Sequence, residues 1–190
     1  MAKEGKAAII GEDNHKKMLD SLALDRHSVR NRAIYLLGYH AGLRIGTIAG
    51  LRLDDVVRED GTVRNRVVGR SSIMKGSKVT TLYLNHPSLQ EALKAWIASR
   101  PKTKVDSLFV SQKGKQFSSN VLSQMMLRLF KNAGVEGSSH SMRRDFATRT
   151  LKSGADIVAL KTLLNHASIS TTQHYVTHND DYLSSIVGNI

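Results

Sequence analysis

The chain has 190 residues, of which 41% are hydrophobic, and a formal net charge of +12. It contains no cysteine, which excludes disulfides and thiolate metal sites. No apolar run approaches the roughly 18 residues of a membrane span. We therefore expect a cytoplasmic domain with its own hydrophobic core and no membrane partner.

The positive charge is concentrated in the middle of the chain. Residues 61–152 carry 17 Lys or Arg and 4 Asp or Glu, a balance of +13, whereas residues 1–60 come to +1 and residues 153–190 to −2. A charge that only solubilises a protein is normally interspersed with acids. The concentrated basic field therefore favours a polyanion, and first of all nucleic acid, as the partner.

The first third of the chain predicts helices. Residues 1–11 are small, charged and contain glycine, so we expect a flexible leader before a single domain over residues 12–190. The segments "EDNHKKMLDSLA" and "HSVRNRAIYLLGYHAG" place apolar residues at helical spacing, and the second stops at Gly42. A short helix is predicted in "LRIGTIAGLRLDDV", in spite of its two glycines.

The pattern changes period in the middle of the chain. "TVRNRVVGR" and "KVTTLYLN" are β-branched and roughly alternating, which predicts an antiparallel hairpin with Gly76 and Ser77 in its loop. A helix follows with Pro87 at its first position, and then a short strand is predicted in "SLFVS". The helix in "SSNVLSQMMLRLFKNAG" runs from a Ser/Asn cap to Gly134.

The last quarter is again helical. Apolar spacing predicts helices over about 140–153, 156–165 and 168–176, and a final one over 179–188. Packing of this last helix on its own core or on a neighbouring protomer is equally consistent with its apolar side. The predicted fold class is mainly α with a small antiparallel β-sheet.

Several basic residues are candidates for binding a phosphate. His140 and Arg143 are three residues apart and so share a helix face, where a guanidinium fork beside a ring nitrogen suits an anion. Such a pair alone also fits a solvated helix start. Arg44 follows Gly-Leu at a helix entrance and can simply cap or snorkel. Lys75, at the hairpin tip, is either a solubilising charge or a proton donor to a leaving oxygen, and Lys78 competes for that role.

A metal site is the alternative reading of the histidines. His174 and His178 are four apart and His166 is nearby, but no carboxylate stands at matching spacing. The sequence therefore predicts neither a metal nor another cofactor.

Tyr175 is unusual because it follows a run of Ser and Thr, outside any apolar periodic pattern. With the candidates above it completes a familiar order of motifs. "GLR" followed by a helix and an aspartate, a hairpin lysine, "HSMRRDFAT" and "LLNHASISTTQHY" resemble the boxes of the tyrosine recombinases, the phage integrase family. The family's versions of the last two are "HxLRHTFAT" and "LLGHxSIxTTxxY". The resemblance covers about residues 10–180 and is to the catalytic domain.

The resemblance implies a site-specific recombinase that cleaves and rejoins DNA through a 3′-phosphotyrosyl intermediate. It implies Tyr175 as the nucleophile, with Arg44 and Arg143 as the two phosphate clamps. It also implies His140 as the proton carrier, Lys75 as the general acid and His166 as the ring that orients the phosphate. It also implies double-stranded DNA as partner, a tetramer on DNA, possible accessory DNA-bending proteins and a place at the nucleoid.

Three departures from the family pattern stand out. The family commonly has a glutamate two or three residues after the first arginine, where this chain has Gly46 and Thr47. The glycine of "LGH" is Asn165 here, and the His-Thr pair after the second arginine is Arg144-Asp145. Asparagine tolerates the same left-handed backbone as glycine. The separate DNA-clamping domain of most members is not in this sequence, which suggests a minimal recombinase, as in fimbrial DNA inversion, or an excised catalytic fragment. A non-catalytic DNA-binding module and a type IB topoisomerase are the rival interpretations.

Overall fold

The computed structural model describes residues 7–69, 80–173 and 175. By internal contacts the chain forms two compact units, residues 1–146 and 147–190. The described part is mostly helical with a two-stranded antiparallel sheet, which confirms the predicted fold class. None of the described helices is both long enough and apolar enough to cross a membrane.

The first unit contains six complete helices among its described residues, and α7 begins in it and continues into the second unit. Their bounds are α1 Gly11–Ala23, α2 Ser28–Ala41, α3 Ile45–Gly50, α4 Leu53–Val56, α5 Pro87–Ser99, α6 Ser119–Asn132 and α7 Ser139–Lys152. Proline begins α5 because its missing N–H and fixed φ suit a first helical position. The Ser118 hydroxyl caps α6 by accepting from the Val121 N–H.

Helix α2 lies in the middle of the first unit's core. It is buried along most of its length, since residues 33–37 are fully shielded from solvent. Helices α1, α3 and α5 all contact it. A helix enclosed in this way cannot shift without opening the core. Its C-terminal end, where Gly42 and Arg44 follow, is therefore fixed in place.

The sheet consists of β1, Arg66–Gly69, and β2, Thr80–Tyr83. Arg66 pairs with Tyr83 and Gly69 with Thr80, so the two strands run antiparallel. Val67 and Leu82 face each other in this register and are both buried, whereas Val68 is exposed. The two strands confirm the predicted antiparallel sheet, and the alternation shows that one of its faces packs on the core.

Two predictions in this unit are wrong in detail. The single short helix after Arg44 is two helices, α3 and α4, because the chain is extended at Leu51, with ψ of 136°. The predicted strand at "SLFVS" makes only isolated bridges, Arg52 with Ser107 and Val110 with Gln116. Its hydrophobic residues are buried all the same, which explains why they resemble a strand in sequence.

The second unit adds α8, Ile157–Leu163, and α9, Ile169–Gln173, which pack against each other. Asp156 caps α8 by accepting from the N–H groups of Val158 and Ala159 at 2.7 and 2.8 Å. Both helices lie inside the predicted ranges. Lys75, Lys78, the hairpin loop, His174, His178 and the helix predicted over 179–188 lie outside the described residues.

Candidate active site

The end of α2 forms a tight turn that leads directly to Arg44. Gly42 ends this helix in the left-handed conformation, with φ of 62°, which side chains other than glycine rarely adopt. A Cβ atom at residue 42 would also lie 2.4 Å from the nearest ring atom of Phe146. Glycine is therefore required twice, by the backbone and by the approach of helix α7.

Arg143 is held against this turn. Its side chain is only 7% exposed, and Nη1 donates a hydrogen bond of 2.5 Å to the Gly42 carbonyl oxygen. The approach is close along the helix as well, since a Cβ at residue 38 would lie 2.7 Å from the Met142 Cε. A buried guanidinium fixed in this way needs no reorganisation to meet an anion, which is the condition for strong electrostatic stabilisation.

Arg44 lies two residues beyond Gly42 and is the N-cap of α3. Its side chain is partly exposed. Because Arg143 contacts the Gly42 carbonyl across 101 residues of sequence, both arginines lie at the same end of α2. The structure thus brings together two of the residues that the sequence analysis singled out.

His140 is exposed in the first turn of α7. Its backbone N–H donates to the Ser138 hydroxyl at 3.2 Å, so Ser138 caps the helix start. His140 and Arg143 are three residues apart on helix α7, but the arginine is buried and the histidine is exposed. An exposed ring beside a helix N-terminus is accessible to an anionic ligand.

Arg144 and Asp145, which depart from the family pattern, bind the start of the chain. Asp145 is 1% exposed, and its Oδ1 accepts from the Gly11 N–H at 2.9 Å. Gly11 begins α1, and its N-cap residue Ile10 has no polar side chain, so the carboxylate caps the helix from α7 instead. Arg144 donates to the Ala7 carbonyl oxygen. The two substitutions therefore join residues 7–11 to α7.

In the second unit, His166 follows a tight end of α8. The N–H groups of Asn165 and His166 donate to the carbonyls of Thr162 and Lys161 at 3.0 and 3.1 Å. This is the Schellman arrangement, which needs a left-handed residue, and Asn165 has φ of 48°. The prediction that asparagine takes the glycine conformation is confirmed. The turn leaves His166 buried, at 7% exposure.

Tyr175 follows α9 and is partly exposed. Its N–H donates to the Thr172 carbonyl at 3.0 Å. Its ring lies nearly parallel to that of His166, at an interplanar angle of 13° and a centroid distance of 6.0 Å. The structure therefore brings together the histidine and the tyrosine of the last motif, which are nine residues apart.

Sequence reasoning did not reveal the contacts that three residues make around these side chains. Gly42, Asp145 and Thr172 act through contacts with residues distant in sequence or through a buried hydroxyl, for which a local pattern gives no signal. Within residues 7–69, 80–173 and 175, no group of three or more His, Asp or Glu is arranged to hold a metal ion.

Comparison with known proteins identifies the family. The model of the phage integrase family matches residues 9–181, nearly the whole chain. The chain belongs to the phage integrase family. The resemblance found in the motifs is confirmed.

Relatives in this family are the Xer tyrosine recombinases. Tyrosine recombinase XerC of Rhodospirillum centenum is 35% identical over 162 residues, which are 83% of this chain and 45% of the relative. Tyrosine recombinase XerA of Pyrococcus furiosus is 32% identical over 183 residues, 93% of this chain and 59% of the relative. The chain thus spans about half the length of the curated relatives it matches.

Solved structures of the family share the fold. The crystal structure of XerA recombinase superimposes with a TM-score of 0.78 at 29% identity, over 97% of this chain and 65% of that one. The Tn1549 transposon integrase in complex with transposon right end DNA gives 0.79 at 20% identity, over 100% and 67% of the two chains. The described helices and sheet are therefore those of a phage integrase catalytic domain.

Proposed function

We propose that the chain is a site-specific DNA recombinase that cleaves and rejoins strands through a 3′-phosphotyrosyl intermediate on Tyr175. The observation that carries this proposal is the buried Arg143, anchored to the Gly42 carbonyl at the turn that presents Arg44. Two arginines at one helix end are a costly arrangement unless they meet an anion. A phosphodiester with two non-bridging oxygens suits them both.

The first step would be attack by the Tyr175 oxygen on the phosphorus. A bond forms between the Tyr175 oxygen and phosphorus, which stays on the 3′ oxygen of one strand end, while the bond from phosphorus to the 5′ oxygen of the other end breaks. Charge builds on the non-bridging oxygens in this step, and Arg44 and Arg143 would stabilise it. His166 would hydrogen-bond and orient the phosphate. The tyrosine proton would pass to His140, since an imidazole can take up or release a proton near neutral pH.

The leaving 5′ oxygen also needs a proton. Lys75 is the proposed donor, with Lys78 as the competing assignment, and the product is a free 5′-hydroxyl. No metal or nucleotide is required, because the phosphotyrosyl ester conserves the energy of the broken phosphodiester bond for rejoining. Attack by a 5′-hydroxyl of a second strand would reverse the chemistry and complete the exchange.

The partner of this chemistry is double-stranded DNA at the nucleoid in the cytoplasm. The concentration of positive charge in residues 61–152 supports it, and so do relatives whose structures were solved with DNA, such as XerH bound to its difH substrate. Reciprocal exchange joins two duplexes, so we propose a tetramer on DNA, assisted where needed by DNA-bending proteins. Residues 12–190 would form the catalytic domain of this assembly. Asp145 and Arg144 bind residues 7–11, and Ile10 is buried in the core, so the flexible leader expected over residues 1–11 is wrong for residues 7–11.

Covalent trapping tests the proposal. Wild type, Tyr175→Phe and Tyr182→Phe are incubated with a pool of nicked duplexes of random sequence, and DNA linked to protein is recovered under denaturing conditions and sequenced. The nick lets the short fragment that carries the new 5′-hydroxyl diffuse away, so the linked species accumulates. Tyr182→Phe is the matched control, since it removes the same hydroxyl seven residues further along the chain.

We expect linkage with wild type and Tyr182→Phe, none with Tyr175→Phe, and one enriched sequence. Linkage that survives Tyr175→Phe would refute the nucleophile. Linkage with no enriched sequence, together with relaxation of supercoiled DNA, would favour a topoisomerase. Intact DNA binding without any linkage would favour a binding module.

A further inference from the structure

Thr172 is buried in a helix whose other residues reach solvent. It is 0% exposed, and α9 has no other buried residue. Its hydroxyl oxygen lies 2.9 Å from Nδ1 of His166, which is itself 7% exposed. Buried polar atoms are nearly always hydrogen-bonded, and these two satisfy each other.

The direction of this hydrogen bond decides which nitrogen of His166 carries the proton. A phosphate oxygen only accepts hydrogen bonds, so a neutral imidazole can serve it only with the proton on Nε2. Nδ1 is then an acceptor, and the group facing it must be a donor. The threonine hydroxyl can donate there, whereas a carbonyl at the same place would select the opposite tautomer.

We propose that Thr172 is a positioning residue that holds His166 in the Nε2–H tautomer and so aims its donor at the phosphate. The inference rests on the proposed function, in which His166 binds that phosphate. Thr172 touches neither the nucleophile's oxygen nor the DNA in this scheme. It acts through the histidine.

The backbone of Thr172 extends its influence to the nucleophile. Its carbonyl accepts from the Tyr175 N–H at 3.0 Å, while its side chain holds His166, whose ring is nearly parallel to that of Tyr175. One residue therefore connects to both partners of the last motif. Branching at Cβ restricts the χ1 angle of threonine, so its hydroxyl has few directions to sample.

Three substitutions separate the hydroxyl from the packing. Thr172→Val keeps the shape and removes the donor, Thr172→Ser keeps the donor, and Thr171→Val makes the same change at the exposed neighbour. Each is measured for the single-turnover rate of covalent linkage to a nicked duplex. We expect Thr172→Val to be about three- to tenfold slower, the size of one neutral hydrogen bond, and the other two to be near wild type.

The tautomer itself is read by NMR of protein labelled with ¹⁵N at histidine, since protonated and bare ring nitrogens differ widely in chemical shift. His166→Ala assigns the signal. We expect wild type and Thr172→Ser to carry the proton on Nε2 at a pH where the ring is neutral, and Thr172→Val to lose this preference. The measurement needs no DNA, so it tests Thr172 even if the protein forms no linkage.

A double-mutant cycle completes the test. In a His166→Ala background, Thr172→Val should have no further effect on the linkage rate, because its partner is already gone. A wild-type proton on Nδ1, an unchanged rate and tautomer in Thr172→Val, or equal losses with and without His166 would each overturn the inference. Loss of linkage in Thr172→Val with normal linkage in Tyr175→Phe would instead refute the proposed function.

Discussion

Arg143 and Tyr175 are both proposed to act on one phosphate, yet the fold supports them by different means. Arg143 is buried and hydrogen-bonded to the turn after α2, a helix enclosed by the core of the first unit. Tyr175 is partly exposed and follows a helix of five residues with a single buried member, Thr172. The arginine is thus oriented by a large core, and the tyrosine by local contacts with Thr172 and His166.

The difference fits the demands on the two side chains. A group that stabilises developing charge works best when it is fixed before the reaction begins. A nucleophile becomes covalently attached to the DNA strand and must stay attached until a second strand arrives. Short polar helices with few buried contacts belong to the low-stability parts of a protein, where local opening is cheap. The comparison therefore predicts that substitutions near Arg143 affect stability and catalysis together, whereas those near Tyr175 affect catalysis first.

The largest effect is expected from Arg143→Lys. Lysine keeps the charge but loses the planar fork, and its ammonium cannot both hold the Gly42 carbonyl and clamp a phosphate in the same geometry. The linkage rate at saturating DNA should fall about 100-fold, as when one charge-stabilising donor is lost. Arg128→Lys, at an exposed position of α6, is the control. A wild-type rate in Arg143→Lys would contradict the view that Arg143 is a fixed group that stabilises the developing charge.

Gly42→Ala tests the packing of helix α7 against the turn that holds Arg143. The new Cβ would be both in a left-handed conformation and 2.4 Å from the Phe146 ring. We expect the free energy of unfolding, measured in urea, to fall by about 2–4 kcal/mol, the sum of the two costs. Gly134→Ala is the matched control.

Gly134 has nearly the same φ, 63°, but nothing within 4 Å of an added Cβ, so only the conformational cost of about 1 kcal/mol applies. Equal losses at the two sites would show that α7 does not press on the turn. Combining Gly42→Ala with Phe146→Leu should restore part of the stability, because the ring that clashes is replaced by a smaller side chain.

Asn165 gives the corresponding test in the second unit. Asn165→Gly should leave both stability and linkage rate near wild type, because glycine adopts φ of 48° without strain. Asn165→Ala should cost about 1 kcal/mol and act locally, which hydrogen exchange of the His166 amide reports as faster opening. Faster exchange throughout the first unit as well would contradict the view that this segment is supported locally.

The smallest effect concerns His27, which belongs to neither set of site residues. Burial, and next the charge of Arg30, lower the pKa of His27 below its ordinary value. The His27 ring therefore takes up a proton at higher pH in the unfolded chain than in the folded one. The free energy of unfolding consequently falls as the pH drops below about 6.5. In His27→Gln the loss of unfolding free energy between about pH 7 and about pH 5 should be smaller than in wild type. An unchanged difference would refute this.

The sequence was sufficient to predict the features that depend on local patterns of residues. The helices α1, α2, α5 and α6, the hairpin strands and the left-handed Asn165 follow from periodicity and from the conformations that glycine and asparagine allow. The motifs identified the family and the candidate residues. Lys75 remains a prediction, since it lies outside the described residues.

What the sequence could not show depends on contacts between distant segments. The Gly42 carbonyl meets Arg143 across 101 residues, and Asp145 caps α1 across 134. No local pattern records either contact. The prediction of a strand at "SLFVS" is wrong because burial alone selects the same apolar residues that a strand would need. The role of Thr172 required the position of its hydroxyl, which a run of Ser and Thr does not reveal.

The most direct test of the central claim is to locate the DNA on the protein by mass spectrometry. The trapped adduct is digested with nuclease and trypsin, which cleaves after Lys161, the last basic residue other than histidine. The C-terminal peptide, residues 162–190, then contains two tyrosines, Tyr175 and Tyr182. Fragment ions that place the nucleotide remnant on Tyr175 are the predicted result. A remnant on Tyr182, or on any residue outside this peptide, would contradict the assignment of the nucleophile.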